Sequence, residues 1–488
     1  GIINMKITLV AILLLSIVSA RLHLSEIQEE RLNARQPNRD WLWYEQRLDH
    51  FNPQNKGTFK QKYYDISHYW DPKEGPLFLY ICGEGTCRQP AENSFVVNLA
   101  KKFSGRVLAL EHRFYGHSQP FEDWSTENLK FLTPDQGLAD LAQFASDKSK
   151  EFSDTFGIPF RRWITVGGSY PGALSAWFRE KYPHIAFASL SSSGVVQAVT
   201  DYHEYDGQVF KSTSKSGTEC PEKFIGITKA FEDLFENSEQ LSGERERVFA
   251  KFGYEGDELT DGDFFNFLAD IAAGPIQYGK RTDFCNQISQ VDLNDQEGTI
   301  DWLVKFSEGL GIALSEYPVS YLQDTTINNN KNGRQWTYQF CSNLGYFQTP
   351  SHDTYAMRSQ QVDVDYWRGV CKNVFGIDIF PNTEAWNNRY GGKELVSTKI
   401  IFTNGGEDPW QHSSVTQSDN PTFHTFVIDC DDCAHCVDLH GDYPEDDPLL
   451  TDARAQTTDI FSSWIKEELE LEVSFPSEAK AGIRDLIS

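Results

Sequence analysis

Between residues 74 and 200, short apolar runs alternate with segments of helical spacing. "PLFLYICG" (76–83), "RVLALEH" (106–112), "WITVGG" (163–168) and "IAFASLSSS" (185–193) carry too little polar alternation for strands wetted on one face. They read as strands of a parallel sheet buried on both sides. Between them, "ENSFVVNLAKKF" and "DQGLADLAQFASDKSKEF" space their apolar residues by three and four, with Asn or Asp near the start. Such alternation predicts βαβ units in a doubly wound α/β domain.

The pattern changes from 201 to 390. Phe224, Ile227, Phe231, Leu234 and Phe235 form one helical stripe. Phe264, Phe265, Phe267, Leu268 and Ile271 form a second, and Trp302, Leu303, Phe306 and Leu310 a third. Strand-like runs return at "TKIIFTNGG" (398–406) and "FHTFVID" (423–429), and a last helix is expected over about 452–470. The predicted organisation is a sheet domain in two parts, 21–200 and 391–488, with a helical cap domain over 201–390.

The first twenty residues stand apart. Met5 and Lys6 lead into "ITLVAILLLSIV", and Val18-Ser19-Ala20 offers a small-x-small cleavage site, so 1–20 reads as a secretory signal peptide. The apolar run is shorter than a membrane span needs. A secreted or lysosomal protein is expected, with no membrane partner after cleavage. The net charge of −27 repels phosphate backbones and argues against nucleic acid as a partner. In an oxidising compartment most of the nine cysteines should pair, and an odd count leaves at least one over.

Chemistry concentrates at "WITVGGSYPGAL" (163–174). Here a buried strand breaks at two glycines and a serine before a helix, the arrangement of a nucleophile elbow in an α/β hydrolase. The fold class predicted is therefore an α/β-hydrolase fold with a large helical cap inserted between nucleophile and acid. Ser169 is the candidate nucleophile. Pro171 is compatible with a first helical turn, where its missing N–H has no intrahelical partner anyway. The Tyr170 N–H, at the helix start, is a candidate oxyanion donor, and Gly83 or Glu84 in "YICGEGTC" offers the second. A serine needs a base and the base an orienting acid. Asp408 lies beyond the strand 398–404 and His435 beyond the strand 423–429, in the chain order of this fold. His440 and His412 are rivals for the base, and Glu407 and Asp438 for the acid. "CDDCAHCVDLH" also admits a metal reading through Cys430, Cys433, His435, Cys436 and His440, but disulfides are the expectation in a secreted chain, and no cofactor or metal is called for.

From about residue 43 to 470 the chain resembles the serine peptidases that include lysosomal prolyl Xaa carboxypeptidase, dipeptidyl peptidase II and thymus-specific serine protease. The shared stretches are "QRLDHFNPQNKGTFKQKYY" (46–64), "EHRFYGHS" (111–118), "LTPDQGLADLAQF" (132–144), "GGSYPGALSAW" (167–177), "GPIQY" (274–278), "WTYQFCSNLGYFQT" (336–349), "NGGEDPW" (404–410) and "AHCVDL" (434–439). The resemblance implies exopeptidase cleavage after proline or small residues, on peptide substrates, through Ser169, Asp408 and His435; a homodimer is compatible with it. It also implies substrate-binding roles for the positions of Ala173 and Trp410, which would line the P1 pocket, and of Asn343. Three residues depart from the family pattern. Pro171 replaces glycine or alanine. Ala173 replaces the methionine of the carboxypeptidase, which should enlarge the pocket. Asn343 replaces the glutamate of a C-x-E motif.

Overall fold

The computed structural model describes residues 41–236, 243–352 and 355–474; the signal-peptide reading lies outside them. Eight strands form one sheet in the order β1-β2-β4-β3-β5-β6-β7-β8. These are β1 (Leu42–Arg47), β2 (Thr58–Ile66), β3 (Leu77–Ile81), β4 (Arg106–Leu110), β5 (Trp163–Gly168), β6 (Ala186–Ser192), β7 (Ile400–Gly405) and β8 (Phe423–Ile428). From β4 to β8 all pairings are parallel, and β1–β2 and β2–β4 are antiparallel.

The six parallel strands are those the apolar runs predict, and they alternate between two cores. Leu77, Leu79, Ile81, Leu108, Leu110 and Trp163 face the helices Pro134–Phe156 and Tyr170–Lys181. Phe78, Val107, Ile164 and Val166 face Phe95–Phe103 and Pro448–Ser474. The period of two in a strand distributes one apolar run over both layers.

Strands β1 and β2 escaped the sequence reading. β2 runs "TFKQKYYDI", with polar residues where a core strand should be apolar. Gln61 and Lys62 are nonetheless only 1% exposed. Gln61 Nε2 donates to the Glu111 carbonyl at 2.7 Å and its Oε1 accepts from Gln46 at 2.9 Å, while Lys62 Nζ lies 3.1 Å from the buried Glu111 carboxylate. Burial here rests on paired polar groups, a pattern hydrophobicity does not reveal.

Among the described residues, none between Ser192 and Ile400 belongs to a strand, and helices fill the interval. Phe264, Phe265, Phe267, Leu268 and Ile271 are all buried on the helix Asp261–Gln277, which a Thr260/Asp263 capping box starts. The Cys220–Cys285 and Cys341–Cys371 disulfides lie wholly within this helical region.

Candidate active site

β5 delivers its last residues to a sharp turn. Ser169 has φ 64° and ψ −128°, a conformation costly for a residue with a Cβ, at roughly 1–3 kcal/mol. The turn is held because the Ser169 N–H donates to the Ser192 carbonyl at 2.9 Å and its carbonyl accepts from the Ala173 N–H at 3.0 Å. The helix Tyr170–Lys181 follows at once, with Pro171 in its first turn. The first amide of the helix, that of Tyr170, has no acceptor one turn back within the helix. Its phenol points elsewhere. It is fully buried, and Tyr170 OH lies 3.1 Å from His112 Nε2. Burial drives the His112 pKa down to about 4, so the ring is neutral. Its Nδ1–H donates to the Arg113 carbonyl at 2.8 Å, leaving Nε2 to accept from the phenol.

The β3 end comes directly over the elbow. A Cβ on Gly83 would lie 2.6 Å from Pro171 Cγ, so only glycine fits between them. The Cys82–Cys87 disulfide closes this loop around Gly83 and Glu84, and the Cys87 N–H donates to the Glu111 carboxylate at 3.0 Å.

Asp408 and His435 meet from the ends of β7 and β8. His435 Nδ1 lies 3.0 and 2.9 Å from the two Asp408 carboxylate oxygens. Asp408 is wholly buried, and its Oδ1 also accepts the Trp410 N–H at 2.9 Å. Burial opposes charge on His435, but Asp408, joined by Cys436, outweighs it and raises the imidazole well above its usual value. Three of the four rivals are engaged elsewhere. Asp438 accepts from Ser192 Oγ and from Thr403 Oγ1 at 2.5 and 2.7 Å. Glu407 takes a bidentate Arg281 at 2.9 and 3.1 Å, and His412 pairs with Gln208 at 3.0 Å. Cys430 and Cys433 form a disulfide, and Cys436 is the free thiol among the described cysteines.

Ser169, His435, Gly83, Glu84 and Trp410 line one cavity of about 330 Å³, roofed by the helical region through Tyr205, Trp336 and Tyr346. His440 also lines it. Two predicted substrate residues do not. Ala173 is fully buried within the core. Ser169 stands outside the helix with a positive φ, while Ala173, within the helix, packs into the core rather than onto the cavity to which the resemblance assigns it. Asn343 also lies off the cavity, its Oδ1 accepting from the neighbouring Ser342 Oγ at 3.0 Å. The sequence reading missed Gln277, although "GPIQY" is one of the stretches carrying the resemblance. Its carbonyl accepts the His435 N–H at 2.9 Å, and its Oε1 accepts from Trp410 Nε1 and Tyr205 OH at 2.9 and 2.8 Å.

A largely parallel sheet with a serine elbow after β5 and a helical roof between β6 and β7 defines an α/β hydrolase. Within that class, the profile of the family "Serine carboxypeptidase S28" matches residues 46–457, and the chain belongs to this family of serine peptidases. It is 37% identical over 410 residues to "Probable serine protease EDA2" of Arabidopsis thaliana, covering 82% of this chain and 81% of that one. It is 30% identical to the human "Thymus-specific serine protease", with 88% of each chain covered. Identity to the mouse "Lysosomal Pro-X carboxypeptidase" is 27%, over 87% of this chain and 89% of that one.

Proposed function

We propose that the protein is a secreted or lysosomal serine exopeptidase that hydrolyses peptide bonds after proline or small residues through an acyl-enzyme. The observation that carries this reading is the Asp408–His435 contact at 2.9 Å, at the rim of a cavity that also holds Ser169. In the proposed cycle His435 Nε2 takes the Ser169 hydroxyl proton as Oγ attacks the substrate carbonyl carbon. Asp408 holds the Nδ1–H tautomer and stabilises the imidazolium. The amides of Tyr170 and of Gly83 or Glu84 receive the oxyanion. Collapse of the tetrahedral adduct breaks the C–N bond, and the imidazolium returns its proton to the leaving amine. Water then repeats the sequence and frees the acid and Ser169.

The helical roof favours chain ends over mid-chain bonds, since it walls the cavity on the side away from the sheet. Aromatic rings of Trp410, Tyr346 and Trp336 suit the compact apolar ring of proline. Disulfides support an oxidising compartment, and the relatives include one named lysosomal. The test is labelling by a fluorophosphonate, with the adduct mapped by mass spectrometry, followed by product analysis on an unbiased peptide mixture. The proposal requires an adduct on Ser169 and products shortened from one end after proline or small residues. An unlabelled Ser169, or cleavage confined to esters, refutes it.

A further inference from the structure

The side chain of Gln277 has a fixed orientation, and that orientation leaves a hydrogen-bond donor in the cavity. Trp410 Nε1 lies 2.9 Å from one end of its carboxamide. An indole N–H can only donate, so the atom facing it must be the amide oxygen. Tyr205 OH, at 2.8 Å, donates to the same oxygen. Both lone pairs of Oε1 are thereby used. The amide is planar, so Nε2 is directed away from Trp410 and Tyr205.

Among the described residues no acceptor takes the Nε2 hydrogens, and Gln277 lines the cavity beside His435 and Trp410. The backbone beneath it is anchored, because the Gln277 carbonyl accepts the His435 N–H at 2.9 Å where the helix Asp261–Gln277 ends, and the side chain itself is held by its bonds to Trp410 and Tyr205. A preorganised donor pair open to a binding cavity calls for an acceptor oxygen on the ligand.

We propose that Gln277 is a substrate-contacting residue whose amide N–H groups donate to a main-chain oxygen of the bound peptide. This rests on the acyl-transfer reading of Ser169. The acceptor is either an internal peptide carbonyl or a terminal carboxylate, which offer the same chemistry.

The discriminating variant is Gln277→Glu. A carboxylate still accepts from Trp410 and Tyr205 but has nothing to donate. Two readouts separate contact from positioning: the rate of fluorophosphonate labelling, which needs a competent Ser169 but no peptide, and kcat/KM on an Xaa-Pro-Xaa tripeptide. Because a carboxylate beside His435 raises the imidazole further, labelling is compared on each protein's own high-pH plateau. Expected there are a labelling rate within about twofold of wild type and a tripeptide kcat/KM lower by about tenfold or more, the scale for a site that loses a hydrogen bond to substrate. Two analogues are then run on both proteins, one in which an alkylamine replaces the last residue, so that no terminal carboxyl oxygen remains, and one with an alkene isostere for the first peptide bond. The analogue lacking the true acceptor should lose a similar factor on wild type and no further factor on the variant. Undiminished tripeptide turnover by Gln277→Glu overturns the proposal. So does a proportional fall in labelling and turnover, which would make the residue purely structural. Equal turnover of both analogues and the parent by wild type also overturns it, and needs no variant. An unlabelled wild-type Ser169 would strike the acyl-transfer reading itself.

Discussion

Gly83 and Pro171 touch across the gap between the end of β3 and the start of the nucleophile helix, so closely that a Cβ on residue 83 would lie 2.6 Å from Pro171 Cγ. The contact couples the two candidate oxyanion donors. One sits on the loop of Gly83, the other on the turn that Pro171 helps to shape.

Gly83→Ala should therefore push the loop away from the elbow with little effect on the core. A fall of about 10²-fold in kcat is expected, the usual consequence of losing one oxyanion donor. The double variant Gly83→Ala/Pro171→Ala should recover part of it, because a smaller residue 171 makes room. Steady-state kinetics with thermal melts on all three variants check this, and additive losses would show that the contact does not govern the donors.

Ser169→Ala should abolish turnover, by about six orders of magnitude in kcat for a serine triad, without lowering the melting temperature. His435→Ala should do nearly the same. His440→Ala should retain most activity, since His440, though it lines the cavity, has no contact with Asp408. Side-by-side kinetics on purified variants distinguish the two histidines, and an active His435→Ala rules out the triad.

The pH dependence follows from the raised His435. The imidazolium cannot take the Ser169 proton. Labelling by a fluorophosphonate should thus be slow below the raised value and increase as pH rises through it, on an acid limb above the 6.5 of an ordinary histidine. Asp408→Asn removes the charge that outweighs burial. The limb should move to lower pH and the plateau fall by about 10⁴. An unmoved limb would assign the titration to another group.

Ala173→Met, from the position where the family resemblance suggested a pocket residue, should act on stability instead. Ala173 is fully buried beside the turn at Gly194. Overpacking there should cost about 1–3 kcal/mol. Chemical denaturation measures the loss, and a P1 substrate series should give the same order of preference as wild type. A large change in preference at unchanged stability would support the P1 role that the resemblance implies for Ala173.

Arg281 carries the last prediction. Its guanidinium forks onto Glu407, fully buried and adjacent to Asp408, and so ties the helical roof to the acid loop. Arg281→Met leaves that carboxylate with Lys215, at 3.4 Å, as its remaining partner. About 3 kcal/mol should be lost, and Glu407→Gln in the same chain should restore much of it. Urea unfolding of the single and double variants gives the coupling.

The sequence by itself determined the parallel sheet, the elbow at Ser169 and the positions of Asp408 and His435. Each is a local signal: apolar runs of strand length, two glycines before a serine, acidic and imidazole groups just past strand ends. It also placed Gly83 near the chemistry, although not against Pro171. The tertiary structure decided the rest. β1 and β2 were hidden because their buried polar residues are satisfied by partners up to 94 residues away, as when Gln46 donates to the Asp140 carbonyl. Among four candidate groups for acid and base rivals, only packing showed Glu407 committed to Arg281 and Asp438 to Ser192 and Thr403. The family resemblance points Ala173 to the pocket, whereas the fold buries it in the core beside Gly194, a contact no local pattern announces. Gln277 acquires its orientation from Trp410, 133 residues further on. Local pattern records what a segment buries; which side chain meets which is set by long-range closure of the chain.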